Sequence, residues 1–318
     1  MNQSSESENS SSIRLTHSLP GLLRATQMLE PECVVIVEGH EIDPFYYASV
    51  LADTADAKGV ELKIIPSREI QASGRGKGRC ISYYKFLESK SALVSELSGK
   101  KTVTFFILDK DIDDLLQQQI ASSHICYTEH HSVENHVVRE ADLPLALAAV
   151  ASLPPKVVAS HLTDLVAWRN GCASSWSDWI KCCIAVQFVG KRHGTTISGY
   201  SRHSPINSPT DAPSDTAKLD VVVNQALAKQ GLSFADYTQS LAYAETAFAK
   251  ARENGCLDSL FKGKWYAAFA QRFLESKLQI NHFNETAFWS TLLCRLDGNH
   301  QESNHFRIAL DGLLSLVL

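Results

Sequence analysis

Two stretches decide the reading of this chain: Cys33-Val34-Val35-Ile36-Val37-Glu38-Gly39 (CVVIVEG) and Thr102-Val103-Thr104-Phe105-Phe106-Ile107-Leu108-Asp109-Lys110-Asp111 (TVTFFILDKD). Each is a short, almost unbroken apolar run that ends abruptly in acid. Runs of this length suit strands, and apolar residues at successive positions mean burial on both faces, as in a parallel sheet. Working outward, Pro44–Ala57 reads as a helix with Asp43 as N-cap and Pro44 in its first turn. Leu62–Ile65 reads as a second strand. A glycine-rich loop, Gly74–Gly78 (GRGKG), then leads into a helix over Arg79–Leu97, and Ile125–Thr128 makes a further strand. Strands spaced by helices predict an α/β fold with a parallel, doubly wound sheet.

At 318 residues the chain has room for about two domains. Residues 1–18 form a Ser-rich tail too polar to bury anything. Residues 19–140 carry the sheet pattern. Residues 141–318 switch to helical periods (Pro155–Arg169, Asp178–Val189, Ala235–Asn254, Trp265–Leu278, Glu285–Leu296), broken by a long polar loop near 190–217. Apolar residues make up 44% and charged residues 20%, with a net charge of −5, so any polyanion must meet a local basic patch. No run approaches the length of a membrane span, and the polar start lacks a signal-peptide pattern, so a cytoplasmic location is expected. The eight cysteines form no C-x-x-C pair, which predicts reduced and mostly buried thiols.

Chemistry on an open α/β sheet sits beyond the carboxyl ends of the strands. Glu38, Asp109 and Asp111 all fall there. In an extended chain Asp109 and Asp111 would point the same way, about 6.6 Å apart. Carboxylates so spaced can share one Mg²⁺ or hold two ions about 4 Å apart. As loop acids or helix caps, Asp109, Asp111 and Asp113 would do neither.

The segments VVIVEGHEIDPFYY, FFILDKD and YTEHHSVENH resemble, in that order and over roughly residues 30–140, the Toprim superfamily. The likeness is narrower to OLD-family nucleases and to the Toprim-like effectors of ABC-ATPase-coupled anti-phage defence systems of the PARIS type. It implies a Toprim-like catalytic domain over 19–140 followed by a helical domain. It further implies that Glu38 acts as general base or metal ligand, that Asp109 and Asp111 hold Mg²⁺ (or Mn²⁺), and that Glu134 completes the site. Read locally, Ser132 caps the short helix that carries Glu134. Related proteins carry a Gly-Lys segment like Gly263-Lys264, which would bring Lys264 to the acids. Where relatives have Asp four residues after the glutamate, this chain has Ile42, and Asp43 comes one residue late. Whether Asp43 is a ligand or only a helix cap, with Glu41 or nothing supplying a further ligand, is left open.

The resemblance implies a Mg²⁺-dependent nuclease cutting DNA or RNA (tRNA included), an antiviral effector controlled by a separately encoded ABC-type ATPase. A homodimer is left open. The competing class is a non-catalytic module that binds metal or a partner. Arg75, Lys77 and Arg79, with Arg68 nearby, surround the glycines of the loop and are expected to anchor nucleic-acid phosphates. No Walker A motif is present, which argues against ATP hydrolysis by this chain. Lys191, Arg192, His193, Arg202 and His203 form a second basic cluster. His130, His131 and His136 match no zinc spacing and read as neighbours of the site.

Overall fold

The computed structural model describes residues 16–28, 32–194, 216–229, 231–298 and 300–317. The tail over 1–15 and most of the polar loop, with Arg202 and His203, lie outside the described residues. The chain opens with β1 (His17–Ser18) and α1 (Leu19–Met28). It continues with β2 (Cys33–Val37), α2 (Asp43–Lys58), β3 (Leu62–Pro66), β4 (Ile70–Gln71) and α3 (Lys77–Ser89), then β5 (Val94–Leu97), β6 (Lys100–Leu108) and β7 (Ile125–Tyr127). Helices follow: α4 (Val133–Glu140), α5 (Leu143–Val150), α6 (Pro155–His161), α7 (Leu165–Ser175) and α8 (Ser177–Arg192). Beyond the polar loop come α9 (Thr216–Ala228), α10 (Phe234–Glu253), α11 (Tyr266–Leu278), α12 (Glu285–Leu293) and α13 (Asn304–Val317).

The main sheet runs β3-β2-β6, all parallel. The far edge of β6 is shared, with antiparallel β5 covering its first half and parallel β7 its last three residues. All five residues of β2 are buried, and their side chains divide between the two faces. Val34 and Ile36, with Phe106 and Leu108 of β6, pack against Leu22 of α1 and Cys80, Tyr83 and Leu87 of α3. Cys33, Val35 and Val37, with Val103, Phe105 and Ile107, pack against Tyr47, Val50 and Leu51 of α2. This second apolar layer runs on without a break through α5, α8, α11 and α13, so the helical region shares the core of the sheet. Polar bonds tie the same seam. Tyr46 Oη donates to Glu140 Oε2 at 3.0 Å, and Lys58 pairs with Asp311 at 3.0 Å.

Three of the sequence expectations need correction. The tail expected over 1–18 ends sooner, because His17–Ser18 pair in parallel with Ile70–Gln71 as β1 against β4. The helix expected over Arg79–Leu97 ends at Ser89, because Ser91 turns into the left-handed region (φ 50°) and Val94–Leu97 pairs with β6 as β5. Ser98 and Gly99, with φ 54° and 81°, make the tight hairpin between them. The helix expected over Pro155–Arg169 is two, because Asp164 starts α7 by accepting the Ala167 N–H. All eight cysteines are free, with only Cys294 exposed, and no helix among the described residues is long and apolar enough to cross a membrane.

Phe105 is fully buried at the join between the sheet and the helical layer. Phe105→Ala is expected to cost about 3–5 kcal/mol in urea unfolding. A loss under about 1 kcal/mol would show that the two layers are not one cooperative core.

Candidate functional site

Val37 lies opposite Ile107 in the β2–β6 ladder. Glu38 and Asp109, each just past those residues, therefore leave the sheet side by side. The Asp109 backbone N–H donates to Glu38 Oε1 at 2.8 Å, fixing the glutamate across the strand ends.

Glu134 reaches the same place through the segment after β7. Three hydrogen bonds lay that segment along the exit of β6. Lys110 N–H donates to Thr128 Oγ1 at 2.7 Å, Asp111 N–H to the His131 carbonyl at 2.8 Å, and Val133 N–H to Asp109 Oδ1 at 3.0 Å. Ser132 then begins α4 with Asn135 as its reciprocal partner, as the capping reading expects. The Ser132 N–H donates to Asn135 Oδ1 at 3.0 Å. Glu134 projects from that first turn, 5% exposed, and its Oε2 is buried without a hydrogen-bond partner.

Of the two roles the sequence leaves open for Asp43, the structure excludes the helix cap. Ile42 stands at the N-cap of α2, with no side-chain bond to the helix. Asp43 is instead the first helical residue, and its carboxylate turns back to accept the Gly39 N–H at 2.7 Å. A Cβ at position 39 would run into Asp43 Oδ1, so the Glu38-Gly39 pair needs its glycine for this close approach. Asp43 thereby joins Glu38, Asp109 and Glu134 along one cleft of about 580 Å³, whose other wall comes from α12 through Thr286, Trp289 and Ser290. Sequence reasoning missed this wall, because nothing local marks α12 as facing the strand ends.

Lys264 enters from the helical region. Asn135 Nδ2 donates to the carbonyls of Asp258 and Phe261 at 3.0 and 2.9 Å, pinning the segment that leads to it. Asp258 is itself held by Arg139 at 2.7 Å and Arg169 at 3.3 Å. Gly263 then packs against α4 so closely that a Cβ there would meet the Asn135 nitrogen and Glu134 Cβ at 2.6 Å. The Lys264 ammonium lies 3.8 Å from Glu134 Oε1, while its side chain remains mostly exposed.

Asp111 departs from the sequence expectation. Strand β6 ends at Leu108, and Asp111 takes φ 50°, so the extended-chain argument for Asp109 and Asp111 does not hold. Its carboxylate goes to Lys77, at 2.5 Å, together with Asp113 at 2.9 Å. Lys77 is accordingly engaged with acids and largely buried, not presented to solvent as a phosphate anchor. Arg75 is exposed in the loop, and Arg79 bonds the Gly74 carbonyl at 3.2 Å. The described part of the second basic cluster is used internally: Lys191 donates to the Leu116 carbonyl, Arg192 to Gln239, and His193 pairs with Asp236. His131 lies 3.6 Å from Asp111, and burial pushes its imidazole down to about 3, so it is neutral. His130 faces Glu302 and His136 is fully buried, so the histidines are neighbours of the site, as expected.

The electrostatics of the cleft follow from this crowding. Burial pushes the Glu38 carboxyl up to about 8, with Lys77 pulling against it. Burial and then Glu134 push Asp43 up to about 6. Burial and then Glu38 raise Asp109 well above the carboxylate range. Asp111, which burial would also raise, is held below its ordinary value by Lys77. Glu134 raises the Lys264 ammonium.

The cleft fits a hard divalent cation in its donor chemistry. Glu134 has an orphaned buried oxygen, Glu38 and Asp109 each spend one oxygen on a backbone N–H, and all three line the same space. Among the described residues, however, no three His, Cys, Asp or Glu side chains already stand in metal-ligating geometry. Fold and site together define a class: an α/β protein with an acid-and-lysine cleft at the carboxyl edge of a mostly parallel sheet. No protein-family model matches this chain, and no curated protein matches it significantly.

An acid whose folded pKa is raised opposes folding as it ionises, so the Glu38 penalty is absent below about 4.5 and grows until about 8. Glu38→Gln is therefore expected to melt above wild type at pH 8, by about 2–4 °C per kcal/mol relieved, and level with it near pH 4.5. Equal melting temperatures at both pH values would contradict the buried, crowded Glu38. Gly263→Ala should lower stability by about 1–3 kcal/mol through overpacking, read as a drop in the urea midpoint.

Proposed function

We propose that this chain is a Toprim-type, Mg²⁺-dependent phosphodiesterase, and specifically a nuclease acting on DNA or RNA, tRNA included. The observation that carries the reading is the convergence of Glu38, Asp43, Asp109 and Glu134, from separate segments, on one cleft that Lys264 also enters. All four acids lie within the ordered motifs that resemble Toprim effectors, and the resemblance itself assigns Glu38, Asp109 and Glu134 to the site. On the same resemblance, the protein is an effector of anti-phage defence, restrained or activated by a separately encoded ABC-type ATPase.

Mg²⁺ or Mn²⁺ held by Glu38, Asp109 and Glu134 would supply Lewis acidity toward a phosphate oxygen. The chain's own groups account for the proton and charge changes. As the oxygen of water bonds phosphorus and the ester P–O bond breaks, Glu38 takes the water proton. Beside a bound cation Glu38 is ionised, as the group that accepts the proton must be. Lys264, exposed at the mouth of the cleft, donates a proton to the departing oxygen. The Asp109 and Val133 N–H groups keep the carboxylates in place through the change of charge.

One observation favours the non-catalytic reading as the second choice: Asp111 and Glu134 already face lysines, as in a saturated structural cluster.

The test uses the purified chain, free and with its ATPase partner, on a panel of DNA and RNA with Mg²⁺, Mn²⁺ or EDTA. Cleavage is expected with either cation and none with EDTA. Glu38→Gln, Asp109→Asn and Lys264→Ala are each expected to lose about 100-fold or more in rate while melting cooperatively. Wild-type cleavage by Glu38→Gln, or cleavage that survives EDTA, overturns the reading. A Mg²⁺-dependent rise in melting temperature with no cleavage in any form selects the binding module.

A further inference from the structure

The acids at the strand ends divide into two sets. Glu38, Asp43, Asp109 and Glu134 line the cleft, and Glu134 Oε2 is buried there without a partner. Asp111 and Asp113, on the turn that follows β6, share the ammonium of Lys77 at 2.5 and 2.9 Å. Lys77 is the first residue of α3, delivered by the glycine loop, and its side chain is 16% exposed. Glu38 is close to both sets: a Cβ on Gly76, next to Lys77, would lie 3.5 Å from its Oε2, and Lys77 and Asp111 both act on its charge.

Two-cation phosphodiester sites place positive charge at two points about 4 Å apart, bridged by a shared carboxylate. Here the second group of acids is already neutralised by a positive charge belonging to the protein. An ammonium on a buried stem supplies one charge and hydrogen-bond donors, at a fixed place, without depending on the concentration of free metal. Displacing it would leave a largely buried lysine without a counter-ion, which is costly.

We infer that this is a one-ion centre, in which the Lys77 ammonium takes the place of a second divalent cation, with Asp111 and Asp113 as its partners. The inference rests on the phosphodiesterase reading above. It also changes the role expected of the glycine loop. Its lysine sets the charge of the acidic site from within, and the exposed Arg75 is left as the loop's candidate for outer contact with phosphate.

The experiment counts Mn²⁺ bound below millimolar concentration by the full chain, from the electron paramagnetic resonance signal of free Mn²⁺, and runs thermal melts on the same samples. Wild type is expected to bind one ion. Lys77→Met, which frees Asp111 and Asp113, is expected to bind two and to gain more in melting temperature from Mn²⁺ than wild type does. Adding Asp113→Asn to Lys77→Met should return the count to one, and Lys77→Arg should keep it at one. Two ions in wild type overturn the inference while leaving the cation-dependent reading standing, and that count holds whether or not Lys77→Met folds. One ion in a folded Lys77→Met also overturns it. No ion in any variant overturns both.

Discussion

Val37 faces Ile107 across adjoining parallel strands, so two chains leave the sheet together and each turns out a carboxylate at once. A hydrogen bond from the Asp109 N–H to Glu38 then locks those carboxylates at close range. Every other part of the site answers to that placement. The segment after β7 is laid against Asp109 by the Val133 N–H and brings Glu134. Gly39 lets Asp43 fold back beneath Glu38. Asn135 and Gly263 bring the helical region near enough for Lys264 to face Glu134. The apolar layer shared between sheet and helices makes this possible, because the helices could not present a lysine so accurately from a separate core.

Crowding acids beneath a sheet edge works against stability, since desolvation and mutual repulsion both disfavour the charged forms. The protein meets this in two ways. Where an ammonium is within reach, as at Asp111, it overrides desolvation and the acid stays ionised. Where none is in direct contact, as at Glu38 and Asp109, proton affinity rises instead. Carboxyls perturbed in this way by burial and by specific charged neighbours, gathered in one cleft, are what make this end of the sheet the candidate site.

Much of the frame was legible in the sequence. The bounds of β2 follow from five apolar residues in a row, and β6 differs from its expected span only by Lys100 and Lys101. Glu38 and Asp109 were readable because their strands were, and Ser132 announced α4. The failures share one physical cause: a local pattern was extended beyond the point where the backbone changes course. Asp111 was assigned by strand geometry after the strand had ended, in a left-handed turn that no apolar pattern signals. Asp43 looked like a cap because a proline followed it, although a glycine four residues earlier was the clue to its actual partner. Lys77 was read with its glycines as a phosphate anchor, because its acidic partners lie 34 and 36 residues away in sequence. The α12 wall of the cleft had no local mark at all.

The central claim is that the β2–β6 register forces Glu38 into a like-charged, buried position, which under the proposed function a divalent cation would relieve. The most direct measurement is a ¹³C-detected titration of the Glu38 carboxyl in the full chain, with and without Mg²⁺. The account predicts a midpoint near 8 without the cation and a fall below the ordinary glutamate value when Mg²⁺ is added. A midpoint at the ordinary value that Mg²⁺ leaves unmoved would contradict it.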